Sequence, residues 1–334
     1  MDQRTAKPAV TEEVAAAVGG SRSKALLALG IAVSAVCFWF VGRLFHVPRY
    51  AGFSGSLLAE PGWLVGLIVV SVTLLVAVLL ATLIAGTIRF DAGLFCAAAG
   101  MVALSGRGGR MGDVLRGSAA TTAGTPTVFV VLAVELVVLY AIVSIAWSVL
   151  WGLHKNGYLK ADEFRDGVED TDEPSIFKAS ALAMQIGVMT LVLLLLGQTD
   201  AKVQAVAAVS VSSFAGACAG YYLYPISPSP WLWIGPLFVG TAGYVLAYFG
   251  LGAGDDAWRS GQLAHALAPL ARPLPLDYAT AGPAAAILGY WMSRKWHRQR
   301  MTEAAVAATA TPGAGTSGDG PAGASSGPGS ASVG

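Results

Sequence analysis

Charge is what this chain has least of. Only 12% of its residues are Asp, Glu, Lys or Arg, about half the share found in an average soluble domain. A soluble fold needs charged surface to face water, and 21 basic plus 20 acidic residues in 334 do not cover one. Neither sign dominates, the net charge being +1, so the broad basic face that nucleic acid requires is excluded as well. Cysteine is equally scarce. Cys37, Cys96 and Cys218 lack CxxC spacing and are odd in number, which rules out a disulfide framework and leaves three small apolar side chains. The four histidines, His46, His154, His265 and His297, fall at segment ends or in loops. No HExxH, Walker loop or dinucleotide fingerprint occurs. The chain therefore reads as a protein without cofactor or metal and not as an enzyme.

Apolar residues are what is present. They make up 55% of the chain, mean hydropathy is +0.62, and they fall in long blocks bounded by charges. Residues 25–42 lie between Lys24 and Arg43, and residues 61–88 between Glu60 and Arg89. Further blocks cover 127–152, 179–199, 203–254 and 278–293. A bilayer-crossing helix needs about 20 apolar residues. The 203–254 block is long enough for two, and Pro225, Pro228 and Pro230 force a break between them. Trp231 and Trp233 follow that break, as indoles at a headgroup boundary do. Pro283 predicts a kink in the last block. The fold expected is an all-α, polytopic transmembrane helix bundle of about eight helices, or seven if the short segment 92–106 does not span.

Basic residues choose between these counts, because cytoplasmic loops are enriched in Lys and Arg. Eight helices with both termini inside place 13 of the 21 basic residues on the cytoplasmic side, whereas seven helices place 11 there and strand the basic C-terminal run outside. Eight fits better, at the cost of putting Arg107, Arg110 and Arg116 outside. Heavy use of Ala, Gly and Val points to a bacterial chain and hence to a cell inner membrane. The first apolar block reads as a retained anchor, since the preceding residues include Asp2, Glu12 and Glu13 and do not resemble a signal-peptide n-region.

Three regions are expected off the membrane. Residues 1–24 form a polar N-terminal tail. An acidic loop lies near 153–178, within a helical domain spanning 25–297. Residues 298–334 hold the end of the basic juxtamembrane run (Arg294, Lys295, Arg298, Arg300), then an Ala/Gly/Ser/Pro-rich tail too poor in large apolar residues to form a core. The acidic loop packs Asp162, Glu163, Asp166, Glu169, Asp170, Asp172 and Glu173 into twelve positions. Phe164 occupies the third place of a would-be calcium loop and Glu169 the normally apolar eighth, so it reads as a solvated or partner-docking loop.

Glu135 is the candidate site. It is the acidic residue deepest inside an apolar block, and a carboxylate at that depth costs about 2.5–3.5 kcal/mol on insertion scales. It reads as an intramembrane proton or cation carrier or as a structural carboxyl bonded to Gln185, Ser144 or Tyr140. Gly216 and Gly220 form a GxxxG step, as do Gly62 and Gly66, and both read as helix-packing faces. Gly52-Phe53-Ser54-Gly55 spells a GxSG nucleophile string of intramembrane proteases. It lies in a loop and has no histidine from within a helix to activate it. The function favoured is a non-catalytic subunit or organiser of a membrane assembly, bound to lipid and to other membrane subunits or copies of itself; the alternative is a secondary transporter of a small solute or ion using Glu135.

Overall fold

The computed structural model describes residues 8–44, 56–58, 63–121, 126–158, 175–226, 230–250, 261–263 and 266–310. Among these residues the chain is all-α, with no strand. Its helices are α1 (Pro8–Leu44), α2 (Trp63–Ala85), α3 (Ala92–Ser105), α4 (Met111–Thr121), α5 (Val128–Lys155), α6 (Ser175–Leu196), α7 (Lys202–Leu223), α8 (Gly235–Gly250), the single turn α9 (Ala268–Ala271) and α10 (Pro275–Ala310). Among the described residues, five segments are long and apolar enough to cross a bilayer: Ser21–Gly42 of α1, then α2, α5, α6 and α7. The protein is an integral membrane protein. Residues 295–334 form a unit distinct from 1–294, and its described part, 295–310, is helical.

The distribution of side chains on α2 explains why these helices need lipid. Its inner face carries Gly66, Ala77, Ala81 and Ala85 beside Val70 and Leu74. Its outer face exposes Leu64, Val65, Ile68, Val72, Val76 and Leu83. Small residues inside and large aliphatics outside invert the soluble pattern; backbones then approach closely while an apolar solvent takes the bulk. Hydroxyls within the apolar helices bond back to the carbonyl one turn earlier, Thr73 Oγ1 to Val69 O at 2.7 Å and Ser144 Oγ to Tyr140 O at 2.7 Å. No polar hydrogen is then offered to lipid.

Helix contacts run through glycine. A Cβ on Gly216 would stand 2.7 Å from Gln185 O, and one on Gly220 2.8 Å from Ala181 O. The GxxxG step of α7 therefore lies directly on α6. Gly66 is buried in α2, while Gly62 is outside the described residues. Gly112 of α4 crosses Gly261 just as closely, a Cβ on Gly261 meeting Gly112 O at 2.8 Å, and the positive φ of 85° at Gly261 is one that L side chains rarely adopt.

Several sequence expectations shift. Helix α1 begins at Pro8, so the N-terminal tail is helical for most of its length; the Thr11–Ala17 stretch supplies good helix formers. Helix α3 has 14 residues, too few to span unaided at about 1.5 Å each, and nearly all of them are buried. Trp231 is 41% exposed, as a boundary indole should be, but Trp233 is 2% exposed. It is drawn inward by Tyr140 and Trp147, with ring centroids 6.2 and 5.9 Å away. Pro283 lies inside α10, where it removes one backbone donor.

Arg107, Arg110 and Arg116 find local partners. Arg107 stacks on the Trp39 ring at 3.7 Å and donates to Trp39 O. Arg116 pairs with Asp113, whose side chain also accepts from the Arg110 main-chain N–H. Partial burial alone would raise the Asp113 carboxyl, but the Arg110 N–H and Arg116 outweigh it and hold the group below the ordinary aspartate range. Among the described residues, only Arg116 of the three is ion-paired; Arg107 is held by an aromatic ring and a carbonyl, and Arg110 is tied through its main chain.

Candidate functional site

Glu135 sits seven residues into α5, about 10 Å from the start of the helix, and its side chain is fully buried. Its partners are neither Gln185 nor Ser144 nor Tyr140. Residues 56–58, a buried non-helical piece between α1 and α2, reach in to meet it. Ser56 Oγ donates to Oε2 at 2.5 Å, Leu57 N–H to Oε1 at 3.0 Å and Leu58 N–H to Oε2 at 3.2 Å. Irregular backbone at this depth is tolerated only when buried in protein with its polar groups satisfied, and the carboxylate satisfies two consecutive amides at once. Among the described residues the Glu135 charge meets these three donors and, at longer range, Tyr244 of α8, and no cation takes part.

The residues first expected beside Glu135 are used elsewhere. Tyr140 donates to Tyr278 O at 3.2 Å and Ser144 to Tyr140 O. Gln185 packs against Gly235, where a Cβ would meet its amide at 2.6–3.0 Å. Tyr244 of α8, donating to Pro273 O at 2.5 Å, lies within electrostatic range of both Glu135 and Asp277.

Asp277, the charge just before the 278–293 block, forms a second buried acidic centre. It is fully buried at the start of α10. It pairs with Lys202 Nζ, the first residue of α7, at 2.6 Å, and accepts from Ser105 Oγ at the end of α3. Its Oδ2 accepts from Leu274 N–H at 2.9 Å, while Asp277 N–H donates to Leu274 O at 2.9 Å. The side-chain bond is the acidic half of a capping box, the third helical residue reaching back to the N–H before the helix, while the second bond is main chain to main chain; Pro275 stands at the first helical position. The signal legible beforehand was Leu274-Pro275-Leu276-Asp277, a proline start followed by an acid at the third position. Arg272 reinforces the junction, pairing with Asp200 at 3.2 Å and donating to Gly197 O at 2.8 Å.

A third buried cluster lies where α2, α3 and α10 approach. Arg89 Nε pairs with Asp91 at 3.2 Å and its guanidinium lies 4.9 Å from the Trp291 ring, while Trp291 Nε1 donates to Asp91 at 2.9 Å.

No group of three or more His, Cys, Asp or Glu able to hold a metal occurs among the described residues. The acidic residues 162–173 and Ser54 of the GxSG string are outside them, as is the tail from 311. No family model, curated protein or solved structure matches the chain.

The arrangement around Glu135 has two chemical states. Ionised, the carboxylate accepts three bonds. Protonated, it must donate one, and whichever oxygen takes the proton then confronts at least one N–H that pointed at a lone pair. Proton uptake is thus linked to the hold on residues 56–58.

Proposed function

We propose that this protein is a proton-coupled secondary transporter of a small solute, with Glu135 as the residue that takes up and releases the proton. The observation that carries the reading is a fully buried intramembrane carboxylate held by three donors from the non-helical residues 56–58 and, among the described residues, by no cation. An ionisable group of this kind is expensive to maintain and marks ion or proton pathways by default. The reading the sequence favours, a non-catalytic assembly subunit, draws on the missing catalytic motifs and on two structural features. One, the acidic loop, is outside the described residues, and the other, the Gly216–Gly220 face, is occupied by α6.

The experiment is proton flux into proteoliposomes of the purified protein, driven by an inward gradient of a mixture of small polar solutes of low passive permeability and read with an entrapped pH dye. Wild type should acidify the lumen, and Glu135→Gln should fall to the level of empty liposomes while eluting as a monodisperse species. Equal flux in both proteins would refute the role of Glu135.

We place eight membrane crossings in α1, α2, α3, α5, α6, α7, α8 and α10 of a bacterial inner membrane, both termini cytoplasmic, with α4 lying at the outer surface. Arg110 is exposed, and it bonds Asp113 through its main chain, so Arg110→Cys preserves that contact. A membrane-impermeant maleimide added outside intact cells should label Arg110→Cys. Labelling only after permeabilisation would return α3 to a non-crossing segment.

A further inference from the structure

The donors that hold Glu135 make up a recognisable kind of site. Two successive main-chain N–H groups and a hydroxyl converge on one carboxylate, one N–H on Oε1 and an N–H and an O–H on Oε2. Consecutive amides of this kind form anion-binding nests wherever backbone curls around a negative group. Here the occupant is a side chain of the protein itself. We propose that Ser56, Leu57 and Leu58 form the substrate cradle, that Glu135 is its built-in occupant, and that the transported solute is a small carboxylate anion carried together with one proton.

The inference rests on the proton-carrying reading of Glu135 and adds the substrate class. An ionised Glu135 fills the cradle and repels a second anion. A proton taken up by Glu135 cancels that repulsion and leaves donors that a substrate carboxylate can accept from, in the same two-oxygen pattern. One proton and one anion enter and leave together, so the cycle moves no net charge across the apolar layer, where an isolated charge is most costly, and the site keeps throughout the single negative charge that the three donors already hold. The titratable neighbour that the Glu135 charge reaches, among the described residues, is Tyr244 of α8. The other groups acting on the carboxylate are the three donors themselves, so no fixed cation stands ready to hold the substrate in their place.

The test is equilibrium binding of radiolabelled acetate, the smallest carboxylate such a cradle must accept, to the purified full-length protein at pH 5.5 and pH 8. In wild type, binding should weaken towards alkaline pH by about tenfold per unit once Glu135 is ionised, because affinity scales with the binding-competent fraction. Glu135→Gln, neutral at every pH, should bind acetate equally well at both values. Ser56→Ala, which keeps Glu135 and both amides, should retain the pH dependence with weaker binding at acid pH. Acetate binding by neither wild type nor Glu135→Gln, or equal wild-type binding at both pH values, would overturn the cradle. The proton-carrying role would survive that result if Glu135→Gln still abolished flux, and both readings would fall if it did not.

Discussion

Lys202→Ala should destabilise the protein by about 3–5 kcal/mol, the cost of breaking a buried ion pair by removing one partner. The ammonium lies 2.6 Å from Asp277, with side chains 13% and 1% exposed. Without it the carboxylate keeps the Ser105 hydroxyl and the Leu274 N–H but loses its compensating charge where water cannot substitute. The contribution is not worth that much in the intact pair, because desolvation of both ions offsets most of the attraction. Lys202 also stands at the N-terminus of α7, where the helix dipole disfavours a cation. The double variant Lys202→Met with Asp277→Asn should therefore recover most of the loss, since Asn retains an acceptor for the Leu274 N–H. Apparent melting temperatures of the three proteins in one detergent check this. A double variant no more stable than Lys202→Ala would show that the two residues act independently and that the ion-pair account is wrong.

Which parts of this architecture were legible in the sequence follows from what a linear pattern records. Block lengths and bounding charges locate helices, and α2, α5, α6, α7 and α8 lie within the blocks that define them, give or take a few residues. Depth is also legible, because Glu135 interrupts an apolar block at a countable distance from its end. Partnership is not. Ser56, Leu57 and Leu58 are 77–79 positions from Glu135, in a stretch without helical period, and nothing in their identity announces that their donors turn inward. Asp277 was hidden for a related reason. A charge at the edge of an apolar run reads as a boundary, yet here three helix ends converge on it and exclude water. Trp233 shows the reverse case. Its sequence position suits a headgroup belt, but Tyr140 and Trp147 give it a better place inside.

Gly100→Ala should be among the most damaging single methyls at the described glycines. An ideal Cβ there would lie 2.4 Å from Ser34 Cβ, 2.6 Å from Ala35 N and 2.7 Å from Ser34 C. Two of those atoms are backbone of α1, which has no rotamer to change. Relief requires α3 to move away from α1, and α3 is a 14-residue helix buried along most of its length, so separation there opens contacts on both sides. Overpacking that a side chain can absorb costs 1–3 kcal/mol, and this one should cost about 3 kcal/mol or more because the clash is with main chain. The control is Gly187→Ala in α6, where an added Cβ meets nothing within 4 Å. There the methyl should stabilise by about 0.5–1 kcal/mol through helix propensity alone. Expression of the two as fluorescent fusions and detergent size-exclusion separates them: Gly187→Ala should elute as wild type, and Gly100→Ala should aggregate or fail to accumulate. A monodisperse Gly100→Ala protein at wild-type yield would mean that α1 and α3 are not in backbone contact, and the account of α3 as a helix sealed inside the bundle would have to be abandoned.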